Sequence, residues 1–568
     1  MKRRSFLYTI GAIGSIYPIK ELLKLITHAP NSSSFSRLER SETRNYFQFN
    51  MYGGPTRWNY DHLLKPFDED IFYQHPMVGN EFVTSSSGEI QSLAYNIRKY
   101  KQVNVPTLWH NHIPTTSNDQ VKMTNLLDNC LMVRGIHHGG LTGHPMVCSK
   151  LIAPSLGGMS INGVLADRSQ KPFKSISIGN TPLNRAYKSH HSSATNINSD
   201  HVNYLHYLLD PLSGDGKKGL PSTKEIESAI DEALDNLKTS NNSLSNDLHS
   251  ARRFFRQSID GLLADYDLLL KKYKDLISRA LKTRIEGVTS NKLVPKLHAG
   301  KIENVDQVYG AYKLIDKYLL DDDLRTILDD VEIETMAQEF ALTEYVLING
   351  LSSSIVVSCK NEIGNILKNI ISKRAYSEES LKSADGKFRT NIVAASFDSH
   401  ATGSYINLLT TSQYYLSLAS CLNELISRLK ETKIGNISLF DETLIHISSE
   451  FDRIPDDLLC GSAHNEQAHS STFYSGAIKG PQVVGNIFTS LNSSNKKWGT
   501  IGNSAPIKSF NNQRLNIGHL SSSIAAVLRI NPLIKRANPF LELKNEQVHL
   551  TVDKAQNIEG AYEDFINS

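Results

Sequence analysis

Cysteine is scarce in this chain: Cys130, Cys148, Cys359, Cys421 and Cys460 are the five among 568 residues. None stands in CxxC spacing, so that zinc and redox signature is absent, and the odd number leaves at least one thiol unpaired within the chain. Cys421 lies on the apolar side of a helical stripe, which predicts a buried thiol. An excess of charge is missing too. The net charge is +3, and Lys2, Arg3, Arg4, Lys20 and Lys24 against Glu21 account for +4 of it, leaving −1 for everything after residue 30. That balance excludes a broadly basic surface for nucleic acid. A long apolar run is absent as well, because the stretch from Phe6 to Ile19 is too short and too polar at its flanks for a standard membrane span. What remains is an ordinary globular composition, 40% hydrophobic and 21% charged. At this length the chain predicts two or more domains, or one domain with a large insertion.

The first 30 residues have the layout of a bacterial signal peptide, with a basic start followed by a modestly apolar run. Arg3-Arg4-Ser5-Phe6-Leu7 resembles the twin-arginine export motif, although Lys2 and Tyr8 depart from its usual flanks. A general secretory signal that happens to hold two arginines is the alternative. The twin-arginine reading implies contact with the export machinery and a periplasmic or otherwise exported protein. No A-x-A cleavage site follows, which leaves open a retained membrane anchor. Residues 31–44 read as a linker.

Beyond it, Tyr46–Tyr52 alternates aromatic and polar residues and meets Gly53-Gly54-Pro55-Thr56, a strand broken by a sharp turn whose glycines let the backbone pass close to a ligand. A plain turn explains the same residues. Cys130–Ile136 reads as a strand leading to His137-His138-Gly139-Gly140 and His144. These three histidines suit a metal or an anion, or simply the surface. Neighbours on an extended segment point to opposite sides, so at most one of His137 and His138 joins a given site. Ser222-Thr223-Lys224-Glu225 is a capping box, and apolar residues at helical spacing run through Ile226–Leu237 and Leu244–Leu281. Residues 204–388 therefore read as a mostly helical insertion, a lid or a surface for a protein partner, with the tyrosine and leucine stripe as core. Phe340–Ser358 suits either a helix or a strand.

The stretch from Asn391 to Gly480 carries the densest chemistry. Asn391–Phe397 and Thr443–Ser448 read as strands, and Leu408, Tyr415, Leu418, Leu422, Leu425 and Leu429 mark one face of a helix between them. This predicts a right-handed βαβ unit with parallel strands, closed by a further strand over Thr472–Ile478. Asp398, His400, Glu450, Asp452, His464 and His469 follow or flank the strand ends, where open α/β sheets gather ligands.

Gly53-Gly54-Pro55-Thr56, Asp398-Ser399-His400, Glu450-Phe451-Asp452-Arg453-Ile454-Pro455, Gly461-Ser462-Ala463-His464 and Gly476-Ala477-Ile478-Lys479-Gly480 resemble, in order and spacing, the motifs of domain-of-unknown-function family 1501. That family consists of exported bacterial proteins related to sulfatases and alkaline phosphatases. The resemblance covers roughly 45–170 and 390–490. It implies an α/β, alkaline-phosphatase-like sandwich with a mostly parallel central sheet, split into 45–203 and 389–568 around the insertion. It further implies a divalent metal, with zinc as the usual ion, held by Asp398, His400, Glu450, His464, His469 and Asp61. Thr56 falls where the family has the serine of its first motif and is the candidate catalytic residue. Asn59 and Ala463 stand where carboxylates are usual, and Asp452 where glycine is. Loss of two anionic ligands weakens a divalent site.

Two functions follow. One is an exported metal-dependent hydrolase of small phosphate or sulfate esters with an altered site. The other is a catalytically inactive exported binding or assembly protein that keeps the fold and uses the insertion as its interaction surface. A structural role for the same acids and histidines, capping strand ends, is the third reading. The export assignment predicts that replacing Arg3→Lys together with Arg4→Lys traps the precursor inside the cell. Unchanged export of the double variant, followed by fractionation and immunoblotting, would rule out the twin-arginine route.

Overall fold

Seven consecutive buried residues, Asn45–Met51, form strand β1. A strand buried on both faces belongs in the middle of a sheet covered on two sides, and β1 occupies that position. The computed structural model describes residues 40–68, 76–86, 90–141, 143–155, 157–199, 203–209, 243–288, 333–359, 397–399, 404–455, 462–489 and 501–559. Within them the central sheet has eight strands: β1, β2 (Cys130–Ile136), β3 (Ile176–Ile178), β4 (Thr195–Ile197), β5 (Ser354–Cys359), β6 (Thr443–Ser448), β7 (His469–Tyr474) and β8 (Gln482–Val484). Their spatial order is β4-β3-β5-β1-β6-β7-β2-β8. All neighbours are parallel except that β7 runs against both β6 and β2.

The chain is thus mixed α/β with a mostly parallel sheet, as the sequence leads one to expect. The strands over Tyr46–Tyr52, Cys130–Ile136 and Thr443–Ser448 are found within one residue of their expected bounds. The closing strand lies earlier than Thr472–Ile478 and is antiparallel; between it and β6 the described residues form the paired strands Arg453–Pro455 and Ser462–His464 and no crossover helix. The expected strand over Asn391–Phe397 and the helix over Ile226–Leu237 fall outside the described residues, apart from Phe397.

Side-chain alternation assigns the two faces. Phe47, Phe49 and Met51 of β1, with Ile445 and Ile447 of β6 and Ile355 and Val357 of β5, point into one core. That core is covered by helices α2 (Ser243–Lys282), α3 (Ile333–Ile348) and α4 (Ser404–Glu431). Tyr46, Leu444, Val356, Leu131 and Val133 point the other way. There they meet α1 (His144–Ile152) and α5 (Ile517–Leu528), the latter built from the C-terminal stretch that shows no motif in sequence.

The helical stretch is continuous with the sheet. Phe340–Ser358 divides into both alternatives, helix α3 as far as Ile348 and then β5, which lies beside β1 within residues read as insertion. The physical reason is length: the apolar run is long enough for a helix and a strand once Gly350 breaks it with a positive φ of 63°. The tyrosine stripe of α2 is core. Tyr266 and Tyr273 are fully buried, and the Tyr273 hydroxyl donates to Glu344 at 2.6 Å. Cys421 is buried on α4 as expected. Among the described residues, no helix is long and apolar enough to cross a membrane.

Phe340 is the hub of this layer. Its ring lies 5.9 Å from Phe47, 5.5 Å from Phe49 and 5.8 Å from Tyr273. Truncation to Phe340→Ala should cost about 3–5 kcal/mol of folding stability, read as a fall in the urea midpoint. A loss under about 1 kcal/mol would show that the helical layer does not share the sheet's core.

Candidate metal centre

The carboxyl ends of β1, β6 and β2 lie side by side, and the antiparallel β7 begins at the same edge. Four chain segments leaving this edge bring His144, Asp398, Glu450 and His464 together. His144 opens helix α1, Asp398 follows Phe397, Glu450 comes two residues after β6, and His464 ends the hairpin strand Ser462–His464. His144 Nε2 lies 3.6 Å from Asp398 Oδ2, and His464 Nε2 lies 3.6 Å from Asp398 Oδ1. One ligand atom from each of the three residues falls within 4.8 Å of the other two. The group could therefore hold a metal ion.

Glu450 stands behind that triad. It is fully buried, and its Oε1 accepts from the Gly53 backbone N–H at 2.8 Å while Oε2 accepts from Gly54 N–H at 3.1 Å. His144 Nδ1 lies 3.1 Å from Oε1. The carboxylate thus fixes the tautomer and ring of His144 with Nε2 directed to Asp398, the arrangement by which outer carboxylates orient metal-binding histidines. The two glycines make this possible. Gly53 and Gly54 have φ of 115° and 62°, and a Cβ on Gly54 would sit 2.7 Å from the Phe451 ring. Their backbone passes close to Glu450 and Phe451, where the sequence suggested a ligand.

Arg453 is the second organiser. This buried guanidinium donates to Gly54 O at 2.5 Å, Gly53 O at 2.6 Å and Asp398 Oδ1 at 2.6 Å, tying the glycine turn to the shared carboxylate. Phe451 packs its ring 4.2 Å from His464 and 4.8 Å from His144. The triad itself faces solvent, with Asp398 39% exposed and both histidines 19%.

Charge follows from this geometry. Burial alone would raise the Asp398 carboxyl, but hydrogen bonds from His144 and His464 and the charge of Arg453 prevail and hold it well below the usual carboxylate range. Burial would lower His144, yet its bonds to Asp398 and Glu450 outweigh that and raise it to about 9. A cation at this position would take over the charge that the His144 proton supplies.

The other expected ligands go elsewhere. Both Asp61 oxygens accept from Arg57, at 2.7 and 2.6 Å, and Oδ2 also takes the Thr472 hydroxyl at 2.8 Å, all fully buried. Severing such a pair leaves an uncompensated buried charge, so Asp61 serves the core. His469 is buried with Nε2 on the Ser471 hydroxyl at 2.7 Å, and burial keeps its imidazole neutral. The Thr56 hydroxyl is buried and accepts from Asn407 at 2.7 Å. Asn59 donates to Thr411 and Ser412 beneath the site, at 3.1 and 3.2 Å. Asp452 accepts from Ser470 and lies 3.7 Å from His62. His400 lies outside the described residues. Glu450 reaches the centre as a support for His144.

His144 is the residue that motif reasoning left among several histidines. Its signal is the Gly143-His144-Pro145 helix start, which puts a histidine at the first turn beside the sheet edge. His137 and His138 do not diverge. The strand ends at Ile136, and both rings then reach one turn, His137 to Gln467 at 2.8 Å and His138 to the Asn465 carbonyl at 2.9 Å. They brace the loop that carries His464.

The chain matches no protein-family model, no curated protein and no solved structure.

In the metal-free chain the His144 imidazole should titrate near pH 9 by NMR, and Asp398→Asn should move it toward the ordinary 6.5. Because the folded value is raised, the stability His144 contributes is fully present below about pH 6.5 and is lost as pH rises through about 9. An imidazole titrating near 6.5 in the wild type would show that it is not held between the two carboxylates.

Proposed function

We propose that the chain is a metal-dependent hydrolase of phosphate or sulfate esters, acting outside the cytoplasm, with one divalent ion, zinc by preference, at His144, Asp398 and His464. The observation that carries this reading is the triad with Glu450 behind His144, open to solvent on one side. Two imidazole nitrogens and one carboxylate oxygen suit zinc, and three protein ligands with an open position are the pattern of its catalytic sites. Tetrahedral donors at zinc distances stand about 3.4 Å apart; His144 Nε2 and His464 Nε2 each stand 3.6 Å from an Asp398 oxygen, the first from Oδ2 and the second from Oδ1, and one ligand atom of each residue lies within 4.8 Å of the others. The departures at Asn59 and Ala463 fit one ion rather than two.

The residues around it have distinct tasks. Glu450 holds the Nδ1 proton of His144, so that Nε2 is the nitrogen that would lose its proton to a bound ion. Arg453 fixes the Asp398 carboxylate through Oδ1 and offsets part of its charge. A bound divalent ion would supply Lewis acidity toward an ester oxygen and acidify water. The aliphatic hydroxyls of Thr56 and Ser399 are engaged: Thr56 is bonded to Asn407, and Ser399 Oγ lies 2.6 Å from Ser462 Oγ. This supports attack by water in preference to a covalent route through Thr56.

The chain purified folded and without chelator should contain about one equivalent of a transition metal, and less than about 0.2 equivalents would sink the proposal. His144→Ala and Asp398→Ala should each abolish binding with helical content intact, while His469→Ala retains the metal. Metal bound without hydrolysis of p-nitrophenyl phosphate or sulfate would favour the binding protein over the enzyme.

A further inference from the structure

Around the triad, most polar side chains are already spent. Glu450 accepts from Gly53, Gly54 and His144, and Arg453 donates to four backbone carbonyls and Asp398. Neither can turn to a ligand without leaving a buried group unpaired, which is costly. Tyr52 differs. It follows β1 and precedes the glycine turn, so it stands at the sheet edge one residue from the amides that bind Glu450. Its ring lies 5.8 Å from the His144 ring, tilted by 54°, and it is only half-buried. Among the described residues, its hydroxyl has no hydrogen-bond partner.

We propose that Tyr52 presents its hydroxyl to the oxyanion of a ligand bound at His144, Asp398 and His464, as the site's hydrogen-bond donor for a tetrahedral phosphate or sulfate group. This rests on the metal reading of the site. A phenol ordinarily loses its proton only at about pH 10, so at neutral pH the Tyr52 hydroxyl keeps it and can donate. The ring packs on His144 whether or not the hydroxyl is present, so binding of the anion and assembly of the triad are separable in Tyr52→Phe.

The test is calorimetric titration of orthophosphate, and separately sulfate, into the full zinc-loaded chain. Tyr52→Phe should keep the zinc stoichiometry and melting temperature of the wild type and bind the better anion roughly 10- to 100-fold more weakly, the range for a hydrogen bond to a charged group. Equal anion affinity in Tyr52→Phe overturns the role of Tyr52 and leaves the metal reading standing. Zinc-loaded wild type that binds neither anion overturns it too. A wild-type chain that takes up no zinc overturns the metal reading, and the role of Tyr52 with it.

Discussion

The carboxylate of Glu450 is the interaction on which the candidate centre depends. It is buried at the end of β6, it accepts two backbone N–H groups from the turn after β1, and it meets the imidazole that opens α1. One side chain thus joins the segment after β6 to two others, the glycine turn 397 residues earlier and the start of α1 306 residues earlier. A buried carboxylate is tolerable when each oxygen has its donors, and here the donors are the glycine amides. Any side chain at Gly53 or Gly54 would collide with Phe397 or Phe451 and adopt an unfavourable φ. The glycine pair, the acid and the histidine are one device.

Arginine supplies the balancing charge in two places, with opposite results. Arg453 bonds Asp398 through one oxygen and leaves that residue partly exposed, so the carboxylate stays reachable. Arg57 engages both oxygens of Asp61, which is wholly enclosed. The pairing geometry separates a carboxylate that can serve a ligand from one that holds the fold. Nothing in the identity of the two acids makes that distinction, since both are aspartates near a motif.

Much of the scaffold is legible in the chain. The unbroken apolar or alternating character of Asn45–Met51, Cys130–Ile136 and Thr443–Ser448 marks strands, and the leucines from Leu408 to Leu429 mark the helix that covers them. Local pattern fails where the partner decides. Phe340–Ser358 suits two structures and forms both, and β7 runs antiparallel to β6, with a paired hairpin and no crossover helix among the described residues between them. The site was half legible. Asp398, Glu450 and His464 stand out through their motifs, but Thr56, within a motif, and Asp61 and His469, beside one, are consumed by Asn407, Arg57 and Ser471.

The residues by themselves determined that strands would end near Gly53, Ile136 and Glu450, and that acids and histidines would collect at those ends. Periodicity and turn chemistry act over a few residues, so they are written locally. Tertiary structure alone decided which of these groups meet. His144 joins Asp398 and His464 because β2 lies two strands from β6 with β7 between them, an order that no spacing along the chain records. Tyr52 keeps its hydroxyl unspent for the same reason: bonding capacity is settled by neighbours in space.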